Sequence, residues 1–151
     1  MTDTKGVSKD SIICKVDGVL TDLSAQLSND CDLQFMDAKS KDGHSVLLHS
    51  TAHLMAQAVK RLFPKTKVTI GPYLENRFYY DFDVETPFSE EDLAKIEAEM
   101  VKISNENLEI IHEVKSRDEA LSFFSKIEED YKVEIINDLD KDEIFKGVFS
   151  G

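Results

Sequence analysis

Hydrophobic and polar positions change period several times along the chain, and each change marks an element. Residues 1–10 are polar and expected to be loose. Residues 11–16 (SIICKV) read as a short strand. Asp17 and Gly18 then form the strongest two-residue hairpin signal, and residues 19–21 supply the return strand. Residues 32–36 alternate as a third strand. Three strands this short do not close a core alone. The polar stretch 37–43 reads as a linker. Across residues 45–63, Leu54, Met55, Ala58, Val59 and Leu62 recur at helical spacing, and Pro64 ends the helix. Two extended runs follow, 67–70 and 77–84, joined through Gly71 and Pro72. The second alternates Phe78, Tyr80, Phe82 and Val84 on one face with Arg77, Tyr79, Asp81 and Asp83 on the other.

Ser89 and Asp92 fit a capping box, loosely because Asp stands where Glu or Gln is preferred. The helix it opens carries Leu93, Ile96, Met100 and Ile103 on one stripe. Residues 109–114 alternate as a strand. Ser116 and Glu119 form a cleaner capping box, opening a short helix with Ala120, Leu121, Phe123 and Phe124. Residues 131–136 fit a helix or a strand equally well. Residues 144–149 read as a final strand. With strands and helices interspersed but no regular βαβ spacing, the expected class is α+β.

Composition narrows the function. Among 151 residues, 18 basic and 30 acidic ones leave a net charge of −12, while hydrophobic residues make up 41%. That mixture folds rather than staying disordered. The acidic balance argues against gripping a nucleic-acid backbone by bulk charge. No apolar run approaches the roughly 20 residues that span a bilayer, and the first residues hold no secretory core segment. The expectation is therefore a cytoplasmic protein without membrane contact, in which Cys14 and Cys31 are reduced thiols.

One pair of residues stands out for chemistry: His49 and His53. At i and i+4 on a helix they are stacked neighbours. With His53 set at 0°, His49 falls near −40°, Lys60 near −20° and Gln57 near +40°, whereas Thr51, Met55, Ala58 and Leu62 gather between about 140° and 200°. Both imidazoles then oppose the apolar stripe, able to chelate a metal or to flank a substrate. Two solvated histidines on a polar face remain the alternative. The spacing lacks the glutamate of a zinc protease helix, and no phosphate loop, dinucleotide fingerprint or nucleophile elbow occurs. His44 and His112 are isolated. Tyr79, Tyr80 and Asp81 could line a cleft, because alternation sends some of them away from the core. Lys132 on its own reads as an ordinary surface lysine.

The wording of the sequence says more than its periods. The stretch 49–103, with HS-x-AH, AxxxLFP, IGP and FYYDFD in order, resembles the start of the editing domain of the bacterial-type threonyl-tRNA synthetase family, and the likeness continues through residues 116–120 and 131–133. Upstream, residues 13–23 and 29–33 resemble the second half of the small TGS β-grasp domain. The resemblance implies a partial TGS-like region over 1–40, and over 41–151 the helix-and-antiparallel-sheet editing domain in part.

It also implies post-transfer proofreading. Threonine and serine differ by a methyl group, which is worth only about 1–3 kcal/mol of discrimination, so a second site hydrolyses serine from the tRNA 3′ end. The family's HxxxH falls on His49 and His53, its cleft tyrosine and aspartate on Tyr80 and Asp81, and its editing lysine on Lys132. No cofactor is required in this region. Zinc on His49 and His53 stays open, and the resemblance assigns ATP and zinc to the family's catalytic domain only. The implied partner is the acceptor end of threonine tRNA, reached through the full-length enzyme, with homodimerisation through its other domains. The sequence departs from the family at Arg77, where a glycine is usual, and ends at Gly151 about where the family's DLCRGPH segment would begin. The isolated chain is therefore expected to be inactive. The alternatives are a non-catalytic binding module, or a zinc-dependent editing hydrolase of the alanyl type.

Overall fold

The computed structural model describes residues 9–69, 71, 73–74, 76–127, 129–138 and 144–150, without the side chains of 73, 110–114 and 144–150. The expected loose start over 1–8 lies outside the described residues, as do Ile70, Pro72, Glu75, the stretch 139–143 and the side chain of His112. The elements are β1 (Ser11–Val16), β2 (Val19–Thr21), β3 (Leu33–Asp37), α1 (Lys41–Leu62), β4 (Lys67–Val68), β5 (Tyr73–Leu74), β6 (Arg77–Phe78), β7 (Phe82–Asp83), α2 (Glu90–Glu106), β8 (Ile110–Ser116), α3 (Arg117–Lys126), α4 (Asp130–Asn137) and β9 (Ile144–Ser150). The class is α+β. The chain forms two compact units, Met1–Ala52 with Pro72–Tyr79, and His53–Gly71 with Tyr80–Gly151. The division falls within α1, whereas the sequence suggested a boundary at residue 40.

In the first unit, β2, β1 and β3 form an antiparallel sheet in that order. Asp17 and Gly18 take φ of 49° and 82°, the pair of positive values that a tight hairpin turn needs. Asp17 also accepts the Asp32 N–H at 2.8 Å, fixing the entry to β3. The expected linker is largely structured. Ser40 accepts the Gly43 N–H on its hydroxyl at 3.1 Å, and α1 begins at Lys41 rather than Ser45. Gly43 allows this early start: it is buried, and a β-carbon on it would strike the Asp37 carbonyl.

The second unit has two cores. Ala58 and Val59 of α1 meet Ile96 and Ile103 of α2, with Phe82, Phe88 and Leu108 packed around them. Arg61 grips Glu106 through two bonds of 2.7 and 2.8 Å and so ties α1 to α2 at the surface. The other core joins Ala120 and Phe124 of α3 to Ile136 of α4. That packing resolves residues 131–136 as helix, because Val133 and Ile136, three apart, both reach α3. Both capping boxes are formed, Ser89 with Asp92 and Ser116 with Glu119. The single strand expected over 77–84 is two short ones, since β6 pairs with β5 and β7 with β4. Its alternation survives: Phe78, Tyr80, Phe82 and Val84 are partly buried, while Arg77, Tyr79, Asp81 and Asp83 are exposed.

Candidate functional site

His49 and His53 lie on α1 with both side chains exposed, and neither is without an interaction partner. The buried face of the helix is wider than its large apolar residues suggested. Ala52 and Ala56 are 1% and 8% exposed, joining Ala58 and Val59 at 0%. On the wheel with His53 at 0°, Ala56 falls near −60° and Ala52 near −100°, so the buried arc comes within about 20° of His49. The pair therefore flanks the buried face rather than opposing it. Small alanines admit close neighbours, which brings the histidines to the margin of packed structure. Among the described residues no group of three His, Cys, Asp or Glu side chains could hold a metal ion. Two imidazoles alone do not fit a zinc centre, which takes three or four protein ligands.

Tyr80 and Asp81 sit in the connection between β6 and β7. Tyr80 lies flat over Gly71, where a β-carbon would collide with its ring, and stacks on Phe82 at 5.1 Å and 20°. Burial, and then the negative charge of Glu129, push its phenol above the ordinary tyrosine value. It stays protonated near neutrality and can donate a hydrogen bond. Asp81 is held by its backbone carbonyl, which accepts from the Thr69 N–H at 3.2 Å and the Thr69 hydroxyl at 2.6 Å. Its side chain faces solvent.

Lys132 is in the first turn of α4, with its ammonium group 5.3 Å from the centre of the Phe124 ring. The preceding residues bind that turn to other elements. Asp130 accepts from Lys67 of β4 at 2.6 Å, and the Tyr131 hydroxyl donates to Asp83 of β7 at 3.1 Å. These contacts tie the start of α4 to β4 and β7, while the Lys132 side chain itself lies over Phe124 of α3.

Sequence reasoning missed Glu129. It is 6% exposed, and its Oε1 is 3.0 Å from the Lys60 ammonium group. Its Oε2 is buried without a hydrogen-bond partner. Standing in an acidic run, it gave no signal distinguishing it from solvated neighbours. Cavities lie elsewhere among the described residues. One of about 440 Å³ is lined by Phe63, Pro64, Val84, Pro87, Phe88 and Asp92 among others. Another, about 730 Å³, includes Lys39, Lys41, His44, Ser45, Leu74 and Asn76, giving His44 a setting the sequence did not suggest. The Cys31 thiol is raised by desolvation and by Asp17, Asp30 and Asp32, away from thiolate chemistry.

Comparison with known sequences finds a likeness to threonine–tRNA ligases along most of this chain. It is 49% identical over 138 residues to the threonine–tRNA ligase of Symbiobacterium thermophilum, aligning 91% of this chain with 21% of that protein. It is 52% identical over 134 residues to the enzyme of Pelobacter propionicus, aligning 89% of the chain with 21% of the relative. For Fusobacterium nucleatum the figures are 49% over 144 residues, 92% and 23%. Over that stretch the chain is similar to threonyl-tRNA synthetases, as a fragment of one would be, and it spans about a fifth of the length of these curated relatives. No family model matches it.

Proposed function

We propose that the chain forms part of the proofreading apparatus of a threonyl-tRNA synthetase and contributes to hydrolysis of serine mistakenly esterified to threonine tRNA. In this reading residues 1–40 are TGS-like and residues 41–151 belong to the editing domain. Water attacks the ester carbonyl, and the products are free serine and the tRNA 3′ hydroxyl. His49 and His53, one helical turn apart, orient the water and pass its proton, a task suited to imidazole near neutral pH. Tyr80 donates a hydrogen bond to the substrate from a neutral phenol, which burial and the charge of Glu129 push further from ionisation. Asp81 accepts from the substrate amine or a ribose hydroxyl, and Lys132 steadies developing negative charge.

The observation that carries the proposal is the exposure of both histidines on α1, in a chain about half identical to threonine–tRNA ligases over nine-tenths of its length. Core histidines could not reach a tRNA end. The test is deacylation of serine-charged threonine tRNA by a longer protein that continues this chain with the following segment of a relative. Loss of hydrolysis in its His49→Ala/His53→Ala variant supports the reading, and full retention overturns it.

A further inference from the structure

We propose that Glu129 is a positioning residue: by locking the first turn of α4 to Lys60 of α1, it fixes where the Lys132 ammonium group stands. The inference rests on the reading that Lys132 acts on the substrate. Its basis is a set of contacts converging on one residue. The Lys60 ammonium group reaches Glu129 Oε1 at 3.0 Å and the carbonyls of Pro64 and Thr66 at 3.3 and 3.2 Å. It thereby gathers the end of α1, the turn after it and α4 on one cation. The Glu129 backbone closes the other side. Its N–H donates to the Phe124 carbonyl at 3.0 Å, and its carbonyl accepts from Lys132 at 3.0 Å and Val133 at 3.1 Å. The side chain that meets Lys60 and the carbonyl that receives the Lys132 N–H thus belong to the same residue.

The neighbouring tethers are weaker anchors. The Lys67–Asp130 pair is 45% and 65% exposed, where water screens ion pairs to little net effect. Glu129 is shielded from water and Lys60 is 32% exposed, so their attraction is less screened than that of the Lys67–Asp130 pair. The same carboxylate acts on the phenol of Tyr80 through its charge. Glu129 thus influences two proposed substrate-facing groups, Tyr80 and Lys132, without touching substrate itself.

The test uses the 151-residue chain and contains no tRNA, so its failure is distinct from failure of the hydrolysis reading, which the deacylation assay decides. The Lys132 ammonium group stands over the Phe124 ring, 5.3 Å from its centre, so the adjoining ε-methylene protons report its position as a ring-current displacement in NMR. Glu129→Gln removes the charge with little change of shape. The Lys60→Met/Glu129→Leu double variant leaves no buried charge unpaired and keeps the fold measurable. In the double variant the Lys132 displacement is expected to fall by at least about half, while the methyl shifts of Ile96 and Ile103 stay in place. In Glu129→Gln the displacement falls measurably, and the Tyr80 phenol titrates closer to an ordinary tyrosine. A Lys132 displacement unchanged in either variant, or a Tyr80 titration unmoved by Glu129→Gln, overturns the proposal.

Discussion

Gly71 supports the ring of Tyr80 directly: a β-carbon on the glycine would run into Cδ2 and Cε2 of the tyrosine. The ring also stacks on Phe82, so it has little room to retreat. Gly71→Ala is expected to destabilise the chain by about 1–3 kcal/mol, the usual cost of overpacking. Adding Tyr80→Ala removes the obstruction, so the double variant loses less than the two single losses combined. Strict additivity in chemical denaturation would show that the close approach carries no strain.

The turn before β6 makes an unusual residue choice testable. Asn76 takes φ of +64°, a left-handed conformation that asparagine tolerates and alanine does not favour. Asn76→Ala is expected to cost about 1 kcal/mol and Asn76→Gly close to nothing. Arg77 lies in β6. Arg77→Gly is therefore expected to destabilise by about 0.5–1 kcal/mol. Thermal unfolding of the three variants checks the order.

Two capping boxes predict the response to acid. Backbone and side-chain hydrogen bonds from Ser89 hold the Asp92 carboxyl below its ordinary 3.8, and Ser116 holds Glu119 below 4.5. A depressed carboxyl contributes stability that is present above its unfolded value and lost as pH falls through its folded value. Melting temperature should therefore drop from about pH 4.5 downward. Ser89→Ala and Ser116→Ala each cost about 1 kcal/mol at neutral pH and flatten that acid slope. An acid slope identical in the variants and the parent chain would contradict this.

For the proposed editing reaction, the chain by itself is expected to deacylate serine-charged threonine tRNA near the uncatalysed rate. The His49→Ala/His53→Ala variant should behave the same way. A version extended with the following segment of a relative is expected to be faster by about 100-fold or more, because added substrate contacts supply positioning. In that extended version, removing both histidines should reduce the rate by about 10²–10⁴. Efficient hydrolysis by the short chain would show that its own residues suffice.

Much of this was legible from residues alone, because the signals are local. The Asp17–Gly18 hairpin, both capping boxes and the alternation from Phe78 to Val84 depend on backbone chemistry and a two-residue period that neighbours reinforce. His49 and His53 were singled out by spacing, and both are exposed, though they flank the buried face of α1 rather than oppose it.

The remainder depended on what each segment packs against. Residues 131–136 could not declare themselves helical until Val133 and Ile136 met the α3 core, since a short apolar run fits either period. Residues 37–43 carried linker composition, yet the Ser40 cap and the close approach of Gly43 to Asp37 made them the start of α1. The buried arc of α1 was wider than expected because alanine weighs little in a hydrophobic pattern but admits the closest neighbours. Glu129 shows the limit most clearly. Its sequence context is that of a solvated acid, and only the approach of Lys60, sixty-nine positions earlier, turns it into a buried charge with a partner. Local spacing determined the elements and the candidate residues. Long-range packing decided which faces are buried and which charges meet, because burial and Coulomb attraction depend on distance in space rather than along the chain.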